Sequence, residues 1–307
     1  MSGSNRNPKP QSTGFETTRL KLTNGWSGRV ALSDSAGNSF TARDWAECLS
    51  EPGTLSEEPE QILKADGGTT IVVRNLKIAD GNLAFVVKCQ HVGCGFKNFC
   101  RSLLLPRAAL NFHTAMRLCR SNIPVARPLA ALRQRKGLFT TQSIYLTEYI
   151  QGSANLHAFL RDNHHLLNSP GLSLRKNLCS QIARIFASLH NASLWHRDAK
   201  AGNFLVHQPE KGQYKITLVD MDGIKPYVLR RRRLRFRCLA KLAATLLWHR
   251  SVNMTDYLRT FTIYGSLTGL DASKRRRIFR GLARRAVAIR LLTLVKAAME
   301  DAGTKVE

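Results

Sequence analysis

The rhythm of hydrophobic and polar positions changes partway along this chain. Residues 20–32 alternate loosely about Asn24-Gly25, the pattern of a hairpin. Residues 50–60 are polar and carry Pro52, Gly53 and Pro59, which reads as a linker. Residues 69–76 are β-branched and apolar, Asp80-Gly81-Asn82 makes a turn, and residues 83–89 form a second strand. A helix is expected from about residue 106 to 119, stopped before Pro124. Residues 143–150 form another apolar strand, broken at Gln151-Gly152. Beyond that point the period becomes helical, with Leu178, Ile182, Ile185 and Leu189 on one apolar face. Short strands at 204–206 and 215–219 flank a turn at Lys211-Gly212, and from about 234 to 298 the chain reads as helical and basic.

Strands first and helices afterwards predict an α+β chain, a small β-rich N-lobe and a larger helical C-lobe, with the boundary near Gly152. The expected division is a disordered lead-in over 1–18, an extension with hairpin and linker over 19–60, the N-lobe over 61–151, the C-lobe over 152–300 and a tail over 301–307. At 307 residues the chain is long enough for two lobes, and its 43% apolar content is that of a globular protein. No apolar run reaches the roughly 18–20 residues that span a bilayer. The polar N-terminus lacks the apolar core of a secretory signal. The expected location is therefore cytoplasmic, or peripheral on the inner face of the cell membrane. Seven cysteines, an odd number, argue against a disulfide framework. Cys89, His91, Cys94 and Cys100 lie close together but lack the paired spacing of common zinc sites, so reduced thiols are expected.

The chemistry concentrates in His196-Arg197-Asp198-Ala199-Lys200-Ala201-Gly202-Asn203, which matches the kinase catalytic-loop pattern H-R-D-x-K-x-x-N at every fixed position. Phosphoryl transfer leaves the protein little covalent work, so catalysis is positioning and charge stabilisation. A carboxylate at Asp198 suits a base that orients the attacking hydroxyl. Lys200 suits a contact with the transferring group, and Asn203 supplies a neutral oxygen to magnesium, a hard cation. Downstream, Leu218-Val219-Asp220-Met221-Asp222-Gly223 ends an apolar strand in an acid. Asp220 fills the place of the D-F-G aspartate as metal ligand; a shifted frame makes Asp222 the ligand instead. Upstream, Phe85-Val86-Val87-Lys88 ends a strand in a lysine suited to the α- and β-phosphates. Gly67-Gly68 suits a short phosphate-covering turn, although no G-x-G-x-x-G is present. Each motif alone has an ordinary rival: Asp198 as a helix cap, Asp220 and Asp222 as turn carboxylates. Their order along the chain favours a fold like that of protein kinases, with ATP and Mg2+ as cofactors and adenine at the hinge, residues 148–152, beginning at Glu148.

The chain resembles the lipopolysaccharide kinase (Kdo/WaaP) family over roughly residues 61–291. The resemblance rests on Val86-Val87-Lys88, Asn122-Ile123-Pro124-Val125-Ala126-Arg127-Pro128-Leu129, Leu146-Thr147-Glu148-Tyr149-Ile150, the loop from His196 to Val206, and Asp220-Met221-Asp222-Gly223. It implies a protein-kinase-like, two-lobed fold and ATP-dependent phosphorylation of a sugar hydroxyl, on Kdo or heptose of the lipopolysaccharide inner core or a similar glycolipid. One departure stands out. A kinase holds its nucleotide lysine with a helix glutamate, yet no Glu occurs between Glu60 and Glu148, and Asn111 sits about where it would fall.

The net charge of +26 predicts an anionic partner. Arg230, Arg231, Arg232 and Arg233 follow the second acidic motif, and Lys274-Arg275-Arg276-Arg277 form another cluster. The first run suits the phosphates of a glycolipid or phosphorylated sugar acceptor, or an anionic membrane surface; an ordinary solvated face is the alternative. Nucleic acid is disfavoured, since no helix-turn-helix, zinc-finger or RNP signature is present and aromatic residues are only 7%. Two other functions compete: a protein Ser/Thr kinase, and a pseudokinase or anionic-polymer-binding protein without turnover.

Overall fold

A computed structural model describes residues 15–66, 68–91, 106–168, 172–227 and 231–301. The chain divides into two compact units, Met1–Arg120 with Arg127–Tyr149, and Ser121–Ala126 with Ile150–Glu307.

The first unit is built on seven strands: β1 (Thr17–Lys21), β2 (Trp26–Ala31), β3 (Gln61–Asp66), β4 (Thr69–Ile78), β5 (Gly81–His91), β6 (Pro128–Lys136) and β7 (Phe139–Glu148). Their order across the sheet is β1-β2-β6-β7-β5-β4-β3, with every neighbouring pair antiparallel. The expected hairpin at Asn24-Gly25 forms, both residues taking positive φ (53° and 75°) as a tight hairpin turn requires. The second turn is displaced from the expected Asp80-Gly81-Asn82: Ile78 pairs with Gly81, and Ala79 takes the left-handed conformation.

Among the described residues, two helices cover this sheet. The helix α1 (Ala42–Cys48) is started by a capping box between Thr41 and Asp44. It brings Trp45 and Leu49 onto a core of Val30, Val72, Phe85, Val87, Cys89 and Leu132. The Trp45 indole donates to the Ala31 carbonyl at 2.7 Å. The helix α2 (Arg107–Arg120) forms a second cluster, Ala108, Phe112 and Met116 against Ala131 and Tyr145.

The region expected to be a separate extension and linker is therefore part of this unit. Strands β1 and β2 extend the sheet at β6, and the chain enters it at Thr17, inside the expected lead-in. Pro52 and Leu55, in the supposed linker, are buried in a 3-10 turn. Burial of Trp45 and its neighbours outweighs the loop-like composition around them.

The second unit is mainly helical: α3 (Leu156–Asp162), α4 (His164–Asn168), α5 (Leu172–Asn191), α6 (Arg231–Leu246), α7 (Met254–Leu267) and α8 (Ala272–Asp301). The apolar face expected on α5 is buried: Leu178, Ile182, Ile185 and Leu189 are each at most 7% exposed. Short strands complete the unit: β8 (Ala154–Asn155), β9 (Leu194–His196), β10 (Phe204–Glu210), β11 (Gln213–Leu218) and β12 (Ile224–Pro226).

A buried ion cluster locks α5 to α7. Arg175 meets Asp256 at 2.6 Å, with both side chains only 12% exposed, and also donates to the carbonyls of Leu167 and Ser251. Asp256 also caps α7 by accepting from the Asn253 amide. Removing one partner strands the other charge inside the protein, which costs roughly 3–5 kcal/mol. Asp256→Ala is thus expected to destabilise by about that amount, read as a lowered midpoint in urea with helical circular dichroism as the signal. A midpoint equal to wild type would show that the cluster contributes nothing.

Candidate active site

The residues of the H-R-D-x-K-x-x-N pattern are fixed by pairing on both sides. Before the loop, β9 pairs antiparallel with β12, His196 opposite Ile224. After it, β10 pairs with β11, Phe204 opposite Leu218. These two ladders bracket both Asp198–Asn203 and Asp220–Gly223, so the two acidic segments are held side by side by register. One further bond closes the gap: the Val219 amide donates to the Asn203 carbonyl at 2.9 Å. The Ile123-Pro124-Val125-Ala126 stretch lies against β11. The Leu218 amide donates to the Pro124 carbonyl at 2.9 Å, and the Ala126 amide to the Leu218 carbonyl at 3.3 Å.

Asp198 lies between two ammonium groups, Lys200 Nζ at 3.3 Å and Lys241 Nζ at 3.5 Å. Its carboxylate is 44% exposed, open enough for an acceptor to reach it. Partial burial pushes the carboxyl up, but the two lysines outweigh burial and hold it below the ordinary aspartate value. Asn203 is buried, and its Nδ2 donates to the main-chain carbonyl of Asp198 at 2.8 Å. That bond orients the amide and assigns its Oδ1 as the oxygen available to a cation.

His196 is fully buried and its imidazole accepts from the Asp198 amide through Nδ1 at 3.1 Å. Burial lowers the ring below the ordinary histidine value and so favours its neutral form, against the pull of Asp220 and Asp198. Gly223 packs against this ring: a Cβ there would overlap the imidazole Cε1 and Nδ1. This explains the glycine that closes Asp220-Met221-Asp222-Gly223. Asp220 takes left-handed backbone (φ 64°, ψ 71°), a conformation uncommon for a non-glycine residue and concentrated at functional sites. Asp222 follows in a single 3-10 turn and is half-buried. Asn203 and Asp220 are hard oxygen donors on adjoining strand ends, a set that fits Mg2+. Among the described residues no group of three or more His, Cys, Asp or Glu side chains forms a metal cluster. Cys94 and Cys100 lie outside the described residues.

In the first unit, Lys88 lies on β5 directly opposite Tyr145 and is half-buried. Cross-strand partners share a face, so Lys88 is on the side of the sheet that carries α2. Asn111 is buried on that helix. Glu148 ends β7, and its carboxylate is engaged: it accepts from the Ser35 amide at 2.5 Å and from the Ser35 hydroxyl. Burial raises its carboxyl above the ordinary value, although the Ser35 bonds pull the other way. Gly68 opens β4 with φ +77°, and its carbonyl accepts from the His91 amide at 3.0 Å. Gly67 lies outside the described residues.

Two contributors escaped the sequence reading. Lys241 and Thr245 are both on α6, where Thr245 accepts from the Ala201 amide at 3.1 Å. The one available signal was a lone lysine within the apolar stretch Leu239-Ala240-Lys241-Leu242-Ala243. The arginine run proves heterogeneous. Arg233 and Arg237 are exposed, while Arg235 donates to the His190 carbonyl at 2.9 Å and lies over the Tyr227 ring. Arg230 and the side chains of Arg231 and Arg232 lie outside the described residues.

Comparison with known proteins adds a second line of observation. A sequence model of the lipopolysaccharide kinase (Kdo/WaaP) family matches residues 68–264. The 3-deoxy-D-manno-octulosonic acid kinase of Haemophilus influenzae (strain PittEE) is 34% identical over 117 residues, 38% of this chain and 44% of that protein. The enzyme of the same name from Actinobacillus succinogenes is 31% identical over 121 residues, 39% of this chain and 46% of that protein. The chain thus spans less than half the length of these relatives. Among solved structures, WaaP in complex with acyl carrier protein superposes with a TM-score of 0.60 at 18% identity, covering 85% of this chain and 98% of that one. This is a likeness of fold, and it agrees with the expected two-lobed α+β architecture.

Proposed function

Because the chain belongs to the lipopolysaccharide kinase (Kdo/WaaP) family, we propose that it is a phosphotransferase that moves the γ-phosphoryl group of ATP to a sugar hydroxyl, on Kdo or heptose of the lipopolysaccharide inner core or a similar glycolipid. The observation that carries this reading is Asp198, an accessible carboxylate held ionised by Lys200 and Lys241 on a loop whose register also fixes Asn203 and Asp220.

Asn203 and Asp220 would hold Mg2+, with Asp222 the alternative to Asp220, and Lys88 would meet the nucleotide phosphates. The bound magnesium nucleotide supplies the phosphoryl group and the charge that eases its departure. Asp198 orients the acceptor hydroxyl and takes its proton as the bond forms. Lys200 and Lys241 keep that carboxylate ionised at neutral pH and offset charge building beside it. Gly67-Gly68 would cover phosphates, and the backbone from Glu148 to Gly152 would receive adenine, since the Glu148 carboxylate is engaged with Ser35. Arg231, Arg232 and Arg233 open α6 (Arg231–Leu246), the helix that carries Lys241. At 1.5 Å per residue they lie roughly 15 Å from it, a separation suited to a second phosphate on the acceptor.

The test is transfer of radiolabel from ATP, with and without magnesium, to Kdo-containing lipid A, to heptosylated core and to the protein itself. Label on the glycan supports the proposal, and label only on protein favours a protein kinase. One observation favours a non-catalytic reading, the buried Asn111 where a kinase helix carries glutamate. That reading requires nucleotide binding with no labelled product on any acceptor.

Lys241 provides an internal check. Lys241→Met removes one of the two cations that lower the Asp198 carboxyl, so that carboxyl rises toward the ordinary value. The base works only when ionised, so the acid limb of the kcat/KM profile should move to higher pH. Lys241→Arg should restore it. An acid limb that does not move would detach Lys241 from the chemistry.

A further inference from the structure

We infer that the C-terminal part of α8 is a membrane-surface helix that docks this protein on an anionic bilayer. The first half of α8 is held by the second unit. Phe279 stacks near Phe261 with ring centroids 5.6 Å apart, Arg275 donates to the Leu270 carbonyl at 3.0 Å, and Ala286 is 2% exposed. After Ala286 the helix continues to Asp301 with no further fully buried residue. What it presents there is apolar: Leu291, Leu292, Leu294 and Val295 are 43–62% exposed. Large aliphatic side chains gathered on consecutive turns, rather than scattered singly, mark an interaction surface.

Charge selects the occupant. The basic residues of α8 extend from Lys274 to Lys296, and its only acids are the terminal Glu300 and Asp301. Arg284, Arg285, Arg290 and Lys296 bracket the exposed leucines. A second copy of this chain would bring the same cations to the same place, on a molecule of net charge +26, and would be repelled. An anionic lipid surface accepts both features at once. The leucines enter the boundary between headgroups and acyl chains, and the arginines and lysine reach the phosphates by extending their long stems. No described helix is long and apolar enough to cross a membrane, so this one lies on the surface.

The inference does not depend on phosphoryl transfer, and its test uses no nucleotide. Full-length protein is floated with vesicles of phosphatidylcholine alone and of phosphatidylcholine with phosphatidylglycerol. Wild type should bind the anionic vesicles preferentially. The quadruple variant L291S/L292S/L294S/V295S should bind them more weakly by roughly tenfold or more, with an unchanged thermal midpoint because none of these residues is buried. Leu258→Ser, at a residue of α7 that is 49% exposed, is the control and should bind as wild type. In high salt the wild type should keep part of its binding, since inserted leucines are not screened as exposed charges are. Vesicle binding by the quadruple variant equal to wild type overturns the inference. So does a wild-type dimer in light scattering that the variant turns into a monomer, which would assign this face to a second copy.

Discussion

Asp198→Ala lowers turnover at saturating acceptor by roughly two to four orders of magnitude, the range over which a positioned general base contributes, and leaves ATP affinity within a few-fold. The separation follows from which atoms hold what. Asn203 is oriented by the main-chain carbonyl of Asp198, not by its carboxylate. Truncating the side chain therefore leaves the amide aimed as before. The carboxylate contacts Lys200 and Lys241, and both lysines remain after the substitution. Its loss would remove the base proposed for the acceptor and nothing that ties Asn203 to Asp220. The check is a radiolabel transfer assay run beside calorimetric titration of a non-hydrolysable ATP analogue. Turnover equal to wild type would sink the assignment of Asp198.

Asp220→Asn is expected to weaken magnesium-dependent nucleotide binding by roughly tenfold to a hundredfold, the scale on which even outer-shell changes weaken a metal site. Asp222→Asn is expected to weaken it less. The comparison is clean because Asp220 takes left-handed backbone. Asparagine tolerates that region as readily as aspartate does, so the substitution removes charge without disturbing the turn. Titrating the analogue into each variant with magnesium, then with chelator, decides it. If Asp222→Asn proves the worse variant, the metal ligand lies two residues further on.

The grouping of Asp198, Asn203 and Asp220 was legible because two short motifs with fixed spacing flank strands that pair, and the structure brings them side by side. Hairpins with a chemical signature were legible for a similar reason: Asn24-Gly25 takes the positive φ its turn needs. Strand β3 left no such trace. All six of its residues are exposed, so nothing forces alternation, and only the ladder to β4 defines it. Lys241 was hidden because its partner lies far back in the chain and α6 delivers it through tertiary packing. The 50–60 segment misled because Pro52, Gly53 and Pro59 favour turns wherever they occur, and composition does not show that Leu55 is buried. Arg235 likewise looked interchangeable with its neighbours until its bond to the His190 carbonyl separated it from them.

The place of β1 and β2 in the first sheet bears on where the protein can be cut. The family match begins at residue 68, and a fragment trimmed to that boundary would discard both strands, α1 and β3. It would strip Val30, Trp45 and Leu49 from the core and leave β6 with a bare row of amides and carbonyls where β2 had paired. The opposite margin would be bare as well, since β3 covers β4 there. A sheet with two raw edges and an uncovered apolar face is a template for joining other chains. Such a fragment should be recovered as aggregate, whereas one beginning ahead of Thr17 keeps both edges as the whole protein has them.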